Sequence, residues 1–376
     1  MRLLQMCTHF EGGGISRHVI DLSSSLRARG HYVAIAGTRG KWMSEEIDPN
    51  FFYVDLHNVG DGGGSLPRRL LAAARAARTV RRVVKAQRIE LIHAHESAPA
   101  LVARIATIGL GIPVYVTFHG AEPERIAQFG KIARLSADRI LTPSHNSARD
   151  LREIGGVPAR RLQVMGLGIQ RKPDADPSRV TALRAELLGK TGRLLIVSIA
   201  RLVHQKGIDF LIEAARQSIA RDPGLRFVVV GDGPQREEAA AWAAKAGISD
   251  ALTFVGHSDE VQAYLAASDI FFLPSRWESL PISIVEAFQR GLPVVATDTA
   301  GVEELVDESV GRLVPIGDVD AMIAALTELA GDEALRARLS EAALRRSHEA
   351  RFSPDHVHAG FEQLYREALG EAEGGG

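Results

Sequence analysis

The sequence contains one cysteine, few aromatic residues and no long uninterrupted apolar run. Cys7 is the only cysteine among 376 residues, so no internal disulfide can form and a reducing compartment is expected. Nothing at the N-terminus resembles a signal peptide. The longest apolar stretch, residues 98–118, is too broken to span a membrane, since it contains Arg104, Gly109, Gly111 and Pro113. These absences favour a cytoplasmic protein.

The composition is that of a folded protein with an uneven distribution of charge. Hydrophobic residues make up 45% and charged residues 24%, and 376 residues suit two domains of about 150–200 residues each. The net charge is −1, but residues 1–170 carry 23 Lys and Arg against 14 Asp and Glu, a charge of +9. The remainder of the chain therefore carries −10. This asymmetry indicates that the first half faces an anionic partner.

Much of the positive charge lies in one predicted helix, between Arg68 and Arg88. Leucine, alanine and valine residues interleave with its arginines and form an apolar stripe on a basic helix. Two interpretations stay open, a solvated outer face of a packed helix and a face that binds an anionic membrane surface. Because no aromatic stacking residues accompany the basic run, nucleic acid is not expected as a partner.

Short apolar runs alternate with segments of helical periodicity along the whole chain, which predicts repeated β–α units and parallel sheets. A polar segment with a proline, residues 174–178, is the expected domain boundary, and a last helix is expected over 353–369. The predicted strands of the first half are Leu3–Met6, Tyr32–Ala36, Phe52–Leu56, Leu91–His93, Val114–Phe118, Arg139–Thr142 and Leu162–Met165. Those of the second half are Leu194–Ser198, Phe227–Val230, Leu252–Val255, Ile270–Leu273 and Pro293–Val295.

Two motifs of the first half follow predicted strands. Gly12, Gly13 and Gly14 come after strand one and open a helix, where backbone N–H groups can approach an oxyanion or a sugar without obstruction by Cβ atoms. The glycines equally suit a purely structural turn. His119 ends the strand Val114–Phe118, where it is either structural or a hydrogen-bonding partner for a sugar hydroxyl.

Two loops of the second half carry features that suit a phosphorylated ligand. Arg201 and Lys206 stand at the two ends of a short loop before a helix, a pattern that favours a diphosphate with several oxyanions. The same pattern is also compatible with two exposed loop cations. Gly231 opens a Gly-Asp-Gly-Pro turn that looks like a dinucleotide turn, but Arg236 occupies the position of the third glycine. A hydride-transfer enzyme is therefore disfavoured.

Seven residues separate Glu278 from Glu286 in the segment that runs from Pro274 to Ala287. Pro281 is predicted to be the first residue of a helix, because its missing N–H costs nothing there. Glu278 would then lie in the preceding loop and Glu286 about a turn and a half into the helix. This arrangement offers two acceptors to a polyhydroxylated ligand, with uncapped helix N–H groups between them for an anion.

Candidate metal ligands are weak in this sequence. His93 and His95 alternate on one face of a predicted strand, but no third ligand lies near them in the sequence. Asp318 and Asp320 resemble the Asp-x-Asp of metal-dependent sugar transferases, but they open a predicted helix, where Asp318 suits an N-cap. No metal and no cofactor are expected.

Together these motifs resemble the retaining, GT-B-fold, family-4 nucleotide-sugar glycosyltransferases, over nearly the whole chain. The resemblance implies an α/β fold with two Rossmann-like, doubly wound parallel-sheet domains that face each other across a cleft. It implies an acceptor-binding domain over 1–172, a donor-binding domain over 173–352, and a C-terminal helix within 353–376 that returns to the first domain.

The resemblance also assigns roles to residues. Arg201 and Lys206 would hold the donor diphosphate and stabilise the leaving group, Glu278 would accept from the transferred sugar, and His119 would lie near its reacting face. The remaining donor-binding positions are Gly13, Gly14, Gly231, Val255, Ser279, Leu280, Pro281 and Glu286, of which Val255 lies near the base and Glu286 near the ribose.

The expected reaction is transfer of a hexose-type sugar from a nucleoside-diphosphate sugar to a hydroxyl acceptor, such as a lipid-linked or exopolysaccharide glycan. The enzyme would act in the cytoplasm or at the inner face of the membrane. Two alternatives are a sugar-nucleotide epimerase, which needs no acceptor, and a binding module without catalytic activity. Because every charged position in the motifs is filled, the sequence favours an enzyme.

Overall fold

The computed structural model describes residues 1–10, 13–40, 50–57, 59 and 65–370. The chain forms two compact units. Unit 1 contains Met1–Gln170 and the C-terminal segment that begins at Ala350, and unit 2 contains Arg171–Glu349. The sequence placed the two boundaries at 172/173 and 352/353.

Unit 1 is built on a parallel seven-stranded sheet within the described residues. The strand order is β3-β2-β1-β4-β5-β6-β7, so the winding direction reverses between β1 and β4. Buried apolar side chains fill both faces of the central strands, as expected for a parallel sheet covered by helices. The strands are β1 (Arg2–Phe10), β2 (Tyr32–Arg39), β3 (Phe51–Tyr53), β4 (Leu91–Ala94), β5 (Val114–Thr117), β6 (Arg139–Thr142) and β7 (Leu162–Val164).

The helices of unit 1 cover its sheet. The basic helix predicted from the sequence is α2, and its inner face packs into the core through small residues such as Ala73, Ala77 and Val80. The predicted apolar stripe is therefore only partly buried, because Leu66 and Leu70 at the start of the helix are exposed. The helices are α1 (Gly14–Ala28), α2 (Leu66–Ala86), α3 (Ser97–Thr107), α4 (Pro123–Ser136) and α5 (His145–Glu153).

The last helix of the chain, which we label α13 (Pro354–Ala368), packs on unit 1. Ser353 caps it, since its side chain accepts a hydrogen bond from the backbone N–H of His356. Phe361 and Tyr365 are fully buried and pack in one cluster with Leu3 of β1 and Leu91 of β4. The C-terminal segment therefore completes the core of the first domain, as the sequence led us to expect.

Unit 2 contains a second parallel sheet, six-stranded within the described residues, in the order β10-β9-β8-β11-β12-β13. Its winding direction reverses between β8 and β11. The strands are β8 (Leu194–Ile199), β9 (Leu225–Val230), β10 (Leu252–Gly256), β11 (Ile270–Leu273), β12 (Val294–Thr297) and β13 (Gly311–Val314). The helices are α6 (Pro177–Leu188), α7 (Ile208–Arg221), α8 (Arg236–Lys245), α9 (Val261–Ala267), α10 (Ile282–Gln289), α11 (Val319–Gly331) and α12 (Glu333–Ser347).

The structure corrects the sequence-based elements of unit 2 at several points. Strand β13 and helices α6 and α12 were not predicted. Helix α10 begins at Ile282, so Pro281 is its N-cap residue and not its first helical residue. None of the described helices is both long enough and apolar enough to cross a membrane.

Candidate active site

The loops that follow β8 and β11 lie side by side at the point where the winding of unit 2 reverses. Arg201 and Lys206 belong to the loop after β8, and Glu278 belongs to the loop after β11. In doubly wound sheets, ligands bind outside the carboxyl ends of the strands at this position. The topology therefore brings together residues that are more than 70 positions apart in the sequence.

Lys206 and Glu278 form an ion pair between these two loops, with Lys206 Nζ donating to Glu278 Oε1. The side chains are 17% and 6% exposed, so the carboxylate is almost completely removed from water. Ser275 Oγ donates to the same carboxylate oxygen at 2.7 Å. Glu278 is thus held in place by one cation and one hydroxyl group, and Lys206 is held toward the interior of the site.

A second set of contacts fastens the same two loops together. The guanidinium group of Arg276 donates to both carboxylate oxygens of Asp209, at 2.8 and 2.6 Å, and lies 4.1 Å from the ring centre of Phe210. Its Nη1 also donates to the carbonyl of His204 at 3.0 Å. Gln205 Nε2 donates to the carbonyl of Trp277 at 2.9 Å. Such bidentate and stacked arginine contacts fix geometry well.

Two glycines permit the close approach of backbone in this region. Gly207 has φ of 62°, and a Cβ atom there would lie 2.1 Å from the carbonyl oxygen of Pro274. At Gly301, in the loop after β12, a Cβ atom would lie 1.3 Å from the carbonyl oxygen of Ser279. Side chains at these positions would displace the loops that carry Lys206 and Ser279.

The segment from Ser279 to Glu286 enters α10. Ser279, Leu280 and Pro281 are buried, and Pro281 has extended backbone geometry as the N-cap residue, with no side-chain cap. Glu286 is the fifth residue of α10 and is half-buried. Glu278 and Glu286 therefore lie on different kinds of backbone, a loop and a helix, with the start of α10 between them.

Arg201 is the other cation of the loop after β8. Its side chain is exposed and has no hydrogen-bond or ion-pair partner among the residues that the structure describes. This distinguishes it from Lys206, whose charge is already neutralised. An unpartnered guanidinium group at a switch point can bind an anion in bidentate fashion without first breaking an internal contact.

Gly231 and Val255 lie at the carboxyl ends of the neighbouring strands β9 and β10. The backbone N–H of Gly231 donates to the carbonyl of Gly256 at 2.8 Å. The backbone N–H of Leu202 donates to the carbonyl of Asp232 at 3.0 Å, which joins the β8 and β9 loops. The predicted donor-binding residues of unit 2 thus follow four adjacent strands, β10, β9, β8 and β11.

The remaining predicted site residues belong to unit 1. Gly13 is the N-cap residue of α1 and Gly14 is its first residue, both exposed, whereas Gly12 lies outside the described residues. His119 directly follows β5 and Phe118 and is partly buried. These residues stand at the carboxyl edge of their own sheet, as Arg201 and Glu278 do at theirs.

His119 belongs to a cluster of four histidines, with His18, His93 and His95. Ring centres lie 5.4 Å apart for His95 and His119, 4.2 Å for His93 and His95, and 5.6 Å for His18 and His119. Burial lowers the pKa of His119 to about 4 and that of His93 to about 3, and it lowers the pKa of His95 and His18 well below the usual value. The cluster is therefore uncharged at neutral pH.

The contacts of the two candidate metal sites, His93 with His95 and Asp318 with Asp320, do not support metal binding. His93 contacts Tyr365 and Thr117, and among the described residues no group of three or more His, Cys, Asp or Glu side chains could hold a metal ion. Asp318 accepts a hydrogen bond from the backbone N–H of Ala321 at 2.9 Å, so it is the N-cap of α11, as predicted.

Comparison with known proteins decides the family. Residues 12–172 match the family described as Glycosyltransferase Family 4, and residues 180–346 match Glycosyl transferases group 1. The chain is 31% identical over 320 residues to the 2-deoxystreptamine N-acetyl-D-glucosaminyltransferase of Streptomyces fradiae, which covers 77% of this chain and 73% of that protein. The chain belongs to these glycosyltransferases.

Two further proteins show how this glycosyltransferase compares with others. It is 27% identical over 270 residues to the UDP-Gal:alpha-D-GlcNAc-diphosphoundecaprenol alpha-1,3-galactosyltransferase of Escherichia coli, covering 68% of this chain and 70% of that protein. The crystal structure of HepE from Anabaena in complex with UDP and glucose superimposes with a TM-score of 0.82 at 21% identity, over 97% and 99% of the two chains. The fold is GT-B, as predicted.

Sequence reasoning about this glycosyltransferase missed the side chains that hold its site residues in place. Arg276 lies inside a recognised motif, yet its partner Asp209 is 67 residues away and no spacing connects the two. Gln5 of β1 and His95, which directly follows β4, contact each other next to His119 and are buried. Only the alternation of His93 and His95 gave a signal, and it was considered as a weak indication of metal binding.

Proposed function

We propose that this glycosyltransferase transfers a hexose-type sugar from a nucleoside-diphosphate sugar to a hydroxyl acceptor, with retention of the anomeric configuration. The observation that carries the proposal is the pair of cations on one loop at the switch point of unit 2. Arg201 is unpartnered within the described chain, and Lys206 is held beside Glu278 and the start of α10.

The two cations suit the leaving group of this reaction. Breaking the bond between sugar and phosphate leaves negative charge on the diphosphate and positive character at the anomeric carbon. Fixed cations that meet the developing charge lower the barrier, since they are already oriented and need no reorganisation. Arg201 and Lys206 would supply that stabilisation without a metal ion or a cofactor.

The carboxylates would recognise hydroxyl groups. A diphosphate competes with Glu278 for Lys206, so donor binding releases one oxygen of Glu278 to accept from a hydroxyl of the transferred sugar. Glu286 would accept from the ribose, and Val255 would border the base. The backbone of Ser279, Leu280 and Pro281, together with Gly231, would line the phosphates and the sugar, and Gly13 and Gly14 of unit 1 are also proposed as donor-binding residues.

Retention is proposed to follow a front-face mechanism, in which the departing phosphate oxygen assists the incoming hydroxyl. Glu278 is paired with Lys206 and Ser275 in the structure, and with the donor bound it is proposed to accept from a hydroxyl of the transferred sugar, so it is not assigned as a covalent nucleophile. A glycosyl adduct trapped on Glu278 or on any other side chain would refute this mechanism.

The test is release of nucleoside diphosphate from a panel of sugar nucleotides, with and without acceptors and with EDTA present. We expect acceptor-dependent release that survives EDTA, and a product whose anomeric proton coupling matches that of the donor. An altered sugar nucleotide without acceptor would indicate the epimerase, and tight donor binding without turnover would indicate the binding module. A product of inverted configuration would contradict retention.

For the acceptor we propose a lipid-linked or exopolysaccharide glycan, reached at an anionic membrane surface from the cytoplasmic side. At the start of α2 the leucines Leu66, Leu70 and Leu71 are 67%, 62% and 49% exposed, beside the exposed Arg68 and Arg75. Apolar side chains among arginines suit the boundary between lipid headgroups and acyl chains. The similarity to an enzyme named for a diphosphoundecaprenol acceptor supports this choice.

Flotation with liposomes tests the membrane proposal. We expect the protein to float with vesicles that contain phosphatidylglycerol at low salt, and to remain in solution with phosphatidylcholine alone. Leu70→Glu should abolish the difference, whereas Leu135→Glu, at a leucine of α4 that is 79% exposed, should not. Equal flotation with both kinds of vesicle would contradict the proposal.

A further inference from the structure

A continuous chain of hydrogen-bonded side chains, which we call the relay, runs from His119 into the core of unit 1. His119 Nε2 lies 3.2 Å from His95 Nδ1, and His95 Nε2 lies 2.8 Å from Gln5 Oε1. Gln5 Nε2 in turn lies 3.5 Å from the hydroxyl of Tyr365, which is 2.6 Å from His93 Nδ1. Gln5, His93, His95 and Tyr365 are completely buried, so these contacts are not exchanged for water.

The amide of Gln5 fixes the direction of these hydrogen bonds. Its oxygen can only accept, so His95 Nε2 must donate to it. A neutral imidazole has one N–H, which leaves His95 Nδ1 as an acceptor. His119 Nε2 must then donate to His95 Nδ1, and the lone pair of His119 lies on its Nδ1.

The other half of the chain agrees with this direction. Gln5 Nε2 donates to the oxygen of Tyr365, so the hydroxyl of Tyr365 is free to donate to His93 Nδ1. His93 Nε2 then donates to Thr117 Oγ1 at 2.7 Å. In this arrangement every hydrogen bond of the chain joins one donor to one acceptor. With the Gln5 amide reversed, every role along the chain would be reversed as well.

The lone pair on His119 Nδ1 is an open end of the chain within the described residues. It has no hydrogen-bond partner among the described residues, and His119 itself is only partly buried at the carboxyl edge of the sheet. The ring is uncharged, since its neighbours are neutral histidines in a buried setting. A neutral nitrogen lone pair at this edge accepts a hydrogen bond from a hydroxyl group but does not attract an anion.

We propose that Gln5 and His95 are positioning residues, which hold His119 as the Nε2–H tautomer so that its Nδ1 accepts a hydrogen bond from a sugar hydroxyl. The hydroxyl belongs to the transferred sugar or to the acceptor, and both share this chemistry. The assignment of the hydroxyl rests on the proposed function, whereas the tautomer of His119 does not.

Nitrogen NMR of histidine tests the tautomer directly. In protein labelled with ¹⁵N-histidine and otherwise deuterated, we expect His119 at pH 7 to show a protonated Nε2 and an unprotonated Nδ1. Loss of the resonance in His119→Gln assigns it. A protonated Nδ1, or an imidazolium, would overturn the proposal, and this measurement on the unaltered protein needs no catalytic activity.

Substitutions at Gln5 test the positioning. Gln5→Met removes both polar groups at similar volume, and we expect a mixture of His119 tautomers, whereas Gln5→Glu keeps an acceptor oxygen and should keep the Nε2–H form. His358→Gln is the matched control, because His358 is an equally buried histidine of unit 1 outside the relay. An unchanged tautomer in Gln5→Met would overturn the role of Gln5.

Kinetics connects the relay to the reaction. Gln5→Met should lower kcat/KM for transfer by about threefold to tenfold while the Kd for nucleoside diphosphate stays within twofold, since Arg201 and Lys206, the proposed diphosphate cations, lie on unit 2. A rise in KM for the acceptor alone identifies the acceptor hydroxyl, and a rise in KM for the donor alone identifies the transferred sugar. Unchanged kcat/KM alongside mixed tautomers would refute the hydroxyl contact and leave the proposed function intact.

Discussion

Replacing Lys206 with alanine removes the cation of the Lys206–Glu278 pair and separates its structural role from its proposed catalytic role. Glu278 would retain only the hydrogen bond from Ser275 while its carboxylate is 6% exposed. Hydrogen bonds to charged groups contribute about 1.5–3 kcal/mol, so we expect the free energy of unfolding to fall by about 2 kcal/mol. For a domain of this size that corresponds to a Tm lower by roughly 4–8 °C.

Adding the substitution Glu278→Gln to Lys206→Ala removes the buried negative charge that is left without a cation. Glutamine can still accept from Ser275, so the double variant Lys206→Ala with Glu278→Gln should recover at least half of the lost stability. Scanning calorimetry or urea denaturation measures this recovery. Arg179→Ala is the control, because Arg179 and its partner Glu260 are exposed to solvent and such surface ion pairs contribute little to stability.

Binding of nucleoside diphosphates should respond in opposite directions to the two single substitutions. Lys206→Ala should weaken the Kd at least tenfold, which corresponds to about 1.4 kcal/mol. Glu278→Gln should leave the Kd unchanged or lower it, because Lys206 no longer has a competing carboxylate. Titration calorimetry with UDP, GDP and ADP distinguishes the two.

Turnover completes the test, and one result would refute the reasoning. We expect turnover to fall at least tenfold in both single variants and in the double variant. If the double variant regained stability, diphosphate affinity and turnover together, Lys206 would serve only to neutralise Glu278, and its role at the leaving group would be wrong.

Two further predictions concern the fold around the site. Gly301→Ala should lower the affinity for the sugar nucleotide at least tenfold, because its Cβ would overlap the carbonyl of Ser279; wild-type affinity measured by calorimetry would contradict this. Burial lowers the pKa of His93 to about 3 and of His358 to about 4 in the folded protein. As the pH falls below about 6.5, these two histidines therefore become protonated in the unfolded chain before they do so in the folded protein. The free energy of unfolding should be greatest above that pH and should fall by about 2 kcal/mol per histidine by pH 5. The decline should be shallower in His358→Gln. If scanning calorimetry gave the same dependence on pH for both proteins, this prediction would be wrong.

Much of the fold could be predicted because its sheets are parallel and buried. Strands with both faces covered read as short apolar runs, and every strand predicted in unit 1 overlaps an observed one. Strand β13 was not predicted because it lies at the edge of the sheet and its sequence, Gly-Arg-Leu-Val, contains a glycine and an arginine. Helix α12 was not predicted because charged residues almost surround it, and the residues it buries are Leu335, Leu339, Ala343 and Ser347.

The candidate site was predictable to the extent that its residues follow strands. Arg201, Lys206 and Glu278 could be placed in loops at the carboxyl edge of one sheet, because parallel strands present their carboxyl ends at the same edge. The contact of Lys206 with Glu278 could not be predicted, because it depends on which strands are neighbours across the winding reversal. The same limit applies to Gln5 and His95, whose contacts join β1, the residues that follow β4 and β5, and α13.

The placement of α13 has a consequence for the synthesis of this chain on the ribosome. Phe361 and Tyr365 complete one side of the unit 1 core, yet they are translated after the whole of unit 2. Residues 171–349 can therefore emerge and form their own core while the core of unit 1 still lacks these side chains. Although the strands of unit 1 are translated before unit 2, unit 1 is completed after it, and a chain terminated between residues 349 and 354 would contain a complete second domain and an incomplete first one.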